Sequence, residues 1–116
     1  MQYGITNQEL TEIGARDKAC VYCHKQFDQN PLNVLRTDKP TIEHLNYRAD
    51  WDSVLSYHQE NKPVSEIVAI CCGGCNSSRR DKPLLSWFKT EYCVSRGISY
   101  RSVDDVVKKF IDVYEK

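Results

Sequence analysis

Six cysteines carry the most recognisable chemistry of this chain, and four of them form two pairs of equal spacing. Two residues separate Cys20 from Cys23, and two separate Cys72 from Cys75. Two such pairs supply the four thiolates of a tetrahedral structural zinc site, because each two-residue spacer allows a tight knuckle that directs both sulfurs to one point. A dithiol redox pair is disfavoured, since two motifs are present and neither lies in a βαβ pattern. The spacing therefore predicts a structural zinc.

An acid, an imidazole and an amide stand near these knuckles. Glu43 and His44 are adjacent and lie between the two cysteine pairs, and Asn76 directly follows the last cysteine. An imidazole titrates near neutral pH, so His44 is suited to take a proton from water. The oxygens of Glu43 and Asn76 are hard ligands that suit magnesium or manganese better than zinc. The combination predicts a metal-dependent site for phosphodiester hydrolysis, in which zinc holds Asn76 opposite Glu43.

The order of these motifs resembles that of the HNH (His-Me finger) nucleases, most closely the zinc-containing four-cysteine type that includes phage endonuclease VII and small bacterial and phage proteins. The matching stretch runs from Cys20 to about Leu85 and contains CVYC, PTIEHL and IVAICCGGCNSSRRDKPLLSW. The resemblance implies a ββα-metal core with His44 as the general base. It also implies that Glu43 and Asn76 bind a catalytic divalent ion, magnesium or manganese, beside the structural zinc.

Two positions depart from the pattern of that family. The family more often has Asp where this chain has Glu43, and the longer side chain leaves the preferred ion open. The family's middle Asn, which orients the histidine, has no clear counterpart, because Ile67 occupies its register with Ser65 and Glu66 nearby. How His44 is held is therefore also open.

The length and the first residues bound the class of protein. A chain of 116 residues has room for one small domain, residues 1–116, which gains from a metal staple because it buries a modest share of its surface. The start, MQYGI, lacks the basic and apolar regions of a signal peptide, so a reducing, cytoplasmic compartment is expected. No apolar run approaches the roughly 20 residues that cross a bilayer, and no membrane partner is expected.

Charges are unevenly divided along the chain although their formal sum is zero. Residues 1–60 carry six Lys/Arg against nine Asp/Glu, a net −3, whereas residues 61–116 carry ten against seven, a net +3. The second half is therefore the expected phosphate-facing side. Arg79, Arg80 and Lys82 directly follow the second knuckle and are candidates for binding nucleic acid. A solvated helix surface is the alternative interpretation of these three residues.

Hydrophobic patterns around the site predict an α+β fold, in line with the small ββα-metal (His-Me finger) core that the resemblance implies over about residues 20–85. Apolar and β-branched runs predict three extended segments. These are Leu32–Leu35, Pro40–Ile42 and Ile67–Ile70. A helix should begin at Asn76, since the run Asn-Ser-Ser can accept hydrogen bonds from a first helical turn. Because successive strand residues point to opposite faces, Glu43 and His44 should flank a phosphate from different sides.

Helices are predicted on the N-terminal side of the core and inside it. The first covers residues 6–15, with Thr6 or Asn7 as its cap. The apolar spacing of Tyr47–Tyr57 predicts a short helix or an irregular connection packed on the site. Both elements would pack against the core rather than supply its chemistry.

Further helices are predicted over residues 83–115. Pro83 suits the start of one helix, and Gly97 suits its C-terminus. Ser102, followed three residues later by Asp105, approximates the capping box of the next. That last helix carries an apolar stripe at helical spacing, which indicates core packing. Its residues are Val106, Val107, Phe110, Ile111 and Tyr114.

Four other residues have side chains that could bind or react. Cys71 adjoins Cys72, but the spacing to the last cysteine favours Cys72 as the ligand, and Cys71 and Cys93 are expected to be buried apolar residues. His24 is expected to be exposed. His58 is a minor candidate for an extra phosphate or metal contact.

Two classes of function follow. The first is a metal-dependent endonuclease acting on DNA; the second is a non-catalytic, zinc-stabilised module that binds nucleic acid or protein and keeps a vestigial HNH site. The joint presence of the acid, the histidine and the asparagine favours the enzyme, and the missing middle Asn keeps the module open. A homodimer and a larger nuclease, phage or defence complex are both open, and an HNH core that grips the DNA backbone does not encode a target sequence.

Overall fold

The computed structural model describes residues 3–28, 30–32, 35–46 and 51–116. Within these residues the chain forms the predicted α+β structure, with helices around a two-stranded antiparallel sheet. The strands are β1 (Pro40–His44) and β2 (Val68–Cys72). The helices are α1 (Asn7–Arg16), α2 (Trp51–Gln59), α3 (Gly73–Arg79), α4 (Leu84–Trp87), α5 (Glu91–Arg96) and α6 (Asp105–Tyr114). Short 3-10 turns, Arg36–Asp38 and Val64–Glu66, precede the two strands.

The pairing of β1 with β2 sorts the site residues onto two faces of the sheet. Glu43 lies opposite Ala69, and His44 lies opposite Val68. Because side chains alternate along a strand, Thr41 and Glu43 share one face and His44 lies on the other. The predicted extended segments at Pro40 and Ile67 are thus found as β1 and β2, with slightly shifted bounds.

Helix α3 begins directly after β2. Gly73 is its first residue, and the Sγ of the N-cap residue, Cys72, accepts a hydrogen bond from the N–H of Cys75 at 3.5 Å. The absence of a side chain at Gly73 permits this start, because a Cβ there would lie 2.1 Å from the carbonyl oxygen of Arg36. Asn76 therefore lies inside the helix, and the prediction that the helix begins at Asn76 was wrong.

The N-terminal helix follows the sequence prediction closely. α1 covers Asn7–Arg16, with Thr6 as its N-cap. The hydroxyl of Thr6 accepts a hydrogen bond from the N–H of Glu9 at 3.1 Å, and the Glu9 carboxylate accepts one from the N–H of Thr6 at 2.8 Å. This reciprocal capping box satisfies two donors that a helix start otherwise leaves without partners.

The C-terminal helices lie within the predicted range but differ from the prediction in two ways. The single helix predicted from Pro83 to Gly97 is divided into α4 and α5, and one predicted cap is different. Gly97 ends α5 in a left-handed conformation with φ of 69°, as predicted. The capping box predicted at Ser102 was wrong, because Asp104 occupies the N-cap of α6. Ser102 belongs to the preceding turn, where its hydroxyl accepts a hydrogen bond from the N–H of Ser99 at 2.9 Å.

Two predicted segments differ from the structure. The described part of Leu32–Leu35 contains no strand, since residues 31–32 form a turn, and residues 33–34 lie outside the described part of the chain. The helix predicted over Tyr47–Tyr57 lies further along the chain as Trp51–Gln59. The first four positions of that prediction, 47–50, also lie outside the described residues.

The hydrophobic core lies between the sheet and the helices. Its largest fully buried side chain is Trp87, which packs edge-on against Tyr22 with 4.9 Å between ring centroids. The apolar stripe of α6 contributes three buried residues, Val107, Phe110 and Ile111. Within the described ranges, no helix has both the length and the apolar composition needed to cross a membrane.

Candidate metal centre and neighbouring polar cluster

The two cysteine knuckles bring four thiols together. Their Sγ atoms all lie within 4.8 Å of one another, and those of Cys23 and Cys72 are 3.8 Å apart. A tetrahedral zinc ion at about 2.3 Å from each sulfur sets the sulfurs about 3.8 Å from one another. The cluster is therefore positioned to hold a metal ion such as zinc. Its members are Cys20, Cys23, Cys72 and Cys75.

Backbone hydrogen bonds build the first knuckle and attach it to the sheet. The N–H of Cys20 donates to the carbonyl of Lys25, and the N–H of His24 donates to the carbonyl of Cys20, both at 3.0 Å. The N–H of Val21 donates to the carbonyl of Ile70 in β2 at 3.2 Å. These bonds fix the turn that carries two of the sulfurs against the strand that leads to the other two.

Helix α5 adds a donor to this cluster that sequence analysis missed. The hydroxyl of Tyr92 donates a hydrogen bond to the Sγ of Cys75 at 3.5 Å. The Tyr92 ring contacts Trp87, with 6.0 Å between ring centroids, and the guanidinium of Arg96, which lies 3.7 Å from the ring centre. Donors around the ligands of a metal orient those ligands and tune the affinity of the site.

Glu43, the predicted metal-binding acid, points into the protein interior and is only 4% exposed. Its Oε2 accepts a hydrogen bond from the Tyr22 hydroxyl at 2.7 Å and one from Nη1 of Arg79 at 3.3 Å. Burial raises the pKa of the Glu43 carboxyl, while the charge of Arg79 and the hydrogen bond from Tyr22 oppose that shift. Burial and the nearby carboxylate raise the pKa of Tyr22 well above its usual value, so Tyr22 remains a neutral donor.

Arg79 lies in the same interior cluster and is fully buried, at 0% exposure. Besides Glu43, its guanidinium donates to the carbonyls of His44 at 3.1 Å, Leu45 at 2.7 Å and Lys82 at 2.9 Å. The predicted contact of Arg79 with nucleic acid does not fit this placement, because the whole guanidinium is turned inward. Its position joins the end of β1 to the end of α3.

His44, the predicted base, ends β1 on the sheet face opposite Glu43 and is 6% exposed. The ring of Tyr3 meets it edge-on, with 5.2 Å between ring centroids. The next residue, Leu45, donates its N–H to the carbonyl of Ile67 at 2.9 Å. Ile67, at the position expected for the family's middle Asn, thus contributes a backbone carbonyl near His44 instead of an amide side chain.

Asn76 lies on the same side of the sheet as Glu43 and contacts a different residue. Its amide nitrogen donates to the hydroxyl of Thr41 at 2.9 Å and to the carbonyl of Ile42 at 3.3 Å. Helix α3 therefore packs on the face of β1 that carries Thr41 and Glu43. Asn76 lies against the first of these residues, and Arg79 lies against the second.

The divalent ion that the resemblance implies does not fit this arrangement. The Glu43 carboxylate is engaged by Tyr22 and by a guanidinium at 3.3 Å, whose positive charge repels a second cation at the same oxygen. Asn76 directs its amide nitrogen towards β1. Among the residues that the structure describes, the four cysteines are the one group of three or more His, Cys, Asp or Glu side chains positioned to hold a metal ion.

The two other predicted phosphate-binding residues are exposed beyond the end of α3. Nε of Arg80 donates to the carbonyl of Ser77 at 3.4 Å, and Nζ of Lys82 donates to the carbonyl of Ser78 at 3.2 Å. These contacts place two positive charges at the C-terminal end of the helix, which is where the helix dipole favours them. Both side chains remain on the surface.

The two remaining histidines join elements to one another. His58, the minor candidate, contacts the Glu9 carboxylate at 2.9 Å and so links α2 to α1. His24 is exposed, as expected, and contacts the carbonyl of Ser102 and, at 3.4 Å, the carboxylate of Asp104. Neither histidine belongs to the thiol cluster.

Tyr22 and Thr41, like Tyr92, are site residues that sequence reasoning missed. Tyr22 is a spacer residue within the first knuckle, and no pattern distinguishes one spacer residue from another. Thr41 precedes Glu43 by two positions, and strand alternation would have placed it on the same face. In comparisons with known proteins, no family model, no curated protein and no solved structure matched this chain.

Proposed function

We propose that this protein is a zinc-stabilised HNH-type endonuclease that hydrolyses the phosphodiester bonds of DNA, with His44 as the base that activates water. One observation carries the proposal. Two antiparallel strands lead through the thiol cluster into α3, with His44 at the end of the first strand and Asn76 of the helix bonded to that strand. The resemblance of the sequence implies the same order of elements and the same two side chains.

The residues of this chain supply a base and surface cations for such a reaction. General bases typically contribute about 10²- to 10⁴-fold to a rate, and an imidazole has a suitable pKa range for this role near neutral pH. Arg80 and Lys82 are exposed and can attract the DNA backbone. Because Glu43 is engaged by Arg79, it does not bind an ion in this proposal.

The second candidate is a non-catalytic module that binds nucleic acid or protein. The observation that favours it is the burial of Glu43 against Arg79, which removes the expected acidic ligand from the surface. Such a module keeps the thiol cluster and the exposed cations, and it binds without cutting.

Cleavage of supercoiled plasmid separates the two candidates. Wild type, His44→Ala and His24→Asn are compared at equal zinc content with added magnesium or manganese. His24 offers a matched control because it is an exposed histidine with φ of 64°, a conformation that Asn adopts more readily than most residues. The endonuclease proposal expects wild type and His24→Asn to cut, and His44→Ala to lose about 100-fold or more of the rate.

Two other outcomes decide against parts of this proposal. Binding of plasmid by all three proteins without any cutting would favour the binding module. Equal cutting by wild type and His44→Ala, with the zinc content unchanged, would reject His44 as the base.

A further inference from the structure

The buried guanidinium of Arg79 lies at the junction of the zinc-held helix and the residue proposed as the base. Its three nitrogens donate to four oxygens, which are the Glu43 carboxylate and the carbonyls of His44, Leu45 and Lys82. A planar guanidinium with donors engaged on every nitrogen has a fixed orientation. It therefore couples the position of α3 to the backbone of the last residue of β1.

We propose that Glu43 is the counter-ion of Arg79 rather than a ligand of a catalytic metal, and that the two act as positioning residues for His44. The inference rests on the proposed function only in the role that it gives to His44. The contacts themselves are independent of that role.

Burial makes the two charges interdependent. Arg79 is 0% exposed and Glu43 is 4% exposed, so neither charge is well solvated by water. Removing one partner of such a pair leaves the other uncompensated, which is far more destabilising than removing both. Tyr22 donates a hydrogen bond to the same oxygen at 2.7 Å, which further stabilises the buried carboxylate. A metal ligand, in contrast, needs an oxygen that faces the ion.

The network reaches His44 through its backbone. The carbonyls of His44 and Leu45 both accept from Arg79, while the N–H of Leu45 donates to Ile67. Together these bonds fix the peptide planes that follow His44, and hence the direction in which its Cα–Cβ bond leaves the end of β1. Ile67 has no side-chain donor for the imidazole, and it contributes its backbone carbonyl to this network instead.

Thermal unfolding of single and double variants tests the ion pair. Glu43→Gln and Arg79→Met should each lower Tm by on the order of 10 °C at matched zinc content, and the double variant should lose less than the sum of the two. Asp17→Asn is the matched control for loss of a buried acid, since Asp17 is 4% exposed and pairs with Arg16. Additive losses in the double variant would overturn the inference.

Positioning is tested by a readout that simple loss of stability does not move. In ¹H–¹³C NMR spectra, with the ring signal assigned by His44→Ala, Glu43→Gln should shift the His44 signal, and Asp17→Asn should leave it in place. With DNA as substrate, Glu43→Gln should lower kcat by about 10-fold or more, while KM and the response of the rate to added magnesium stay unchanged. Tyr22→Phe removes one hydrogen bond to Glu43 and keeps the ring, so it should give smaller changes of the same sign even where Arg79→Met fails to fold.

The two proposals fail in different ways. If wild type does not cut DNA, the endonuclease proposal fails, and the Tm coupling and the His44 signal still test the network. If Glu43→Gln leaves Tm and the His44 signal unchanged and raises the magnesium concentration needed for cleavage, Glu43 is a metal ligand and the inference is overturned.

Discussion

The side-chain amide of Asn76 donates a hydrogen bond of 2.9 Å to the hydroxyl of Thr41. That hydroxyl donates in turn to the carbonyl of Cys71 at 2.8 Å. A short chain of hydrogen bonds thus runs from α3 across β1 to β2. It holds Asn76 on the sheet, immediately after the second cysteine knuckle.

Substitution of Thr41 by Val should lower the free energy of unfolding by about 1–2 kcal/mol, because two partly buried hydrogen bonds are lost while the side-chain volume is kept. Asn76 would retain only its longer bond of 3.3 Å to the carbonyl of Ile42. Urea unfolding at saturating zinc measures the effect. Thr11→Val is the control, since Thr11 is exposed and bonds only within α1. Equal effects of the two substitutions would contradict a special role for the contact.

Removal of the metal should unfold the domain, because four thiols, three of them buried, converge on one point and a small domain has little other stapling. Circular dichroism before and after chelation measures the loss of helix, and its restoration by zinc. Cys72→Ser should lose bound zinc, whereas Cys93→Ser should keep it, since Cys93 is buried outside the cluster. Full zinc content in both variants would argue against the assignment of the ligands.

Substitution of Tyr92 by Phe should weaken zinc binding by about 10-fold, because the Cys75 sulfur loses a hydrogen-bond donor while the ring packing remains. Competition with a chromogenic chelator measures the affinity. Tyr100→Phe controls for loss of a tyrosine hydroxyl, since its partner is Asp112 rather than a cysteine. An affinity equal to that of wild type would show that the 3.5 Å contact does not tune the site.

Substitution of Gly73 by Ala should cost more than about 2 kcal/mol, because the new Cβ would lie 2.1 Å from the carbonyl oxygen of Arg36 and the backbone must move. Gly14→Ala offers a matched comparison within α1, where nothing lies within 4 Å of the new Cβ. That change should stabilise the protein by about 0.5–1 kcal/mol through helix propensity. Thermal unfolding of both variants, with zinc quantified, measures the two effects. An undiminished stability of Gly73→Ala, or a loss of stability in Gly14→Ala, would contradict the prediction.

Neutralising the two exposed cations beyond α3 should weaken binding to DNA by a similar factor for all DNA sequences. For Arg80→Gln combined with Lys82→Gln, we expect the negative slope of log affinity against log salt concentration to become shallower by about 2, since each phosphate contact contributes about 0.9 to its magnitude. Fluorescence anisotropy with a labelled duplex across a salt series measures the slope. Lys108→Gln with Lys109→Gln on α6 is the control, and an equal change there would indicate a diffuse charge effect.

Features fixed by neighbouring residues could be predicted from the sequence. The N-cap of α1 and the C-cap of α5 depend on contacts within one turn, and the sequence predicted Thr6 as one of two candidates for the first and Gly97 for the second. The start of α3 was not predicted correctly. It depends on a close approach of Gly73 to the carbonyl of Arg36, which lies far away in the chain. A local pattern of helix caps cannot report such a tertiary contact.

The candidate site also combines local features that the sequence predicted with tertiary contacts that it did not predict. The spacing of the cysteines predicted their convergence, since both knuckles are local motifs. The count of charges treated Arg79 as a surface cation, because composition does not distinguish an exposed arginine from a buried one. Its partner Glu43 lies 36 positions earlier in the chain, and the pairing becomes visible only when α3 packs on β1.

The meeting of Cys23 and Cys72, 49 positions apart, has a consequence for how this domain can change in length. β1 and β2 are neighbours, so the chain that leaves the sheet after His44 returns beside it at Val68. The entropic cost of closing a flexible loop grows only logarithmically, by about 0.6 kcal/mol for each doubling of its length. Because the strand pair holds the ends of this excursion, an insertion in the exposed turn at residues 60–63, which follows α2, should lengthen the domain at little cost to its stability.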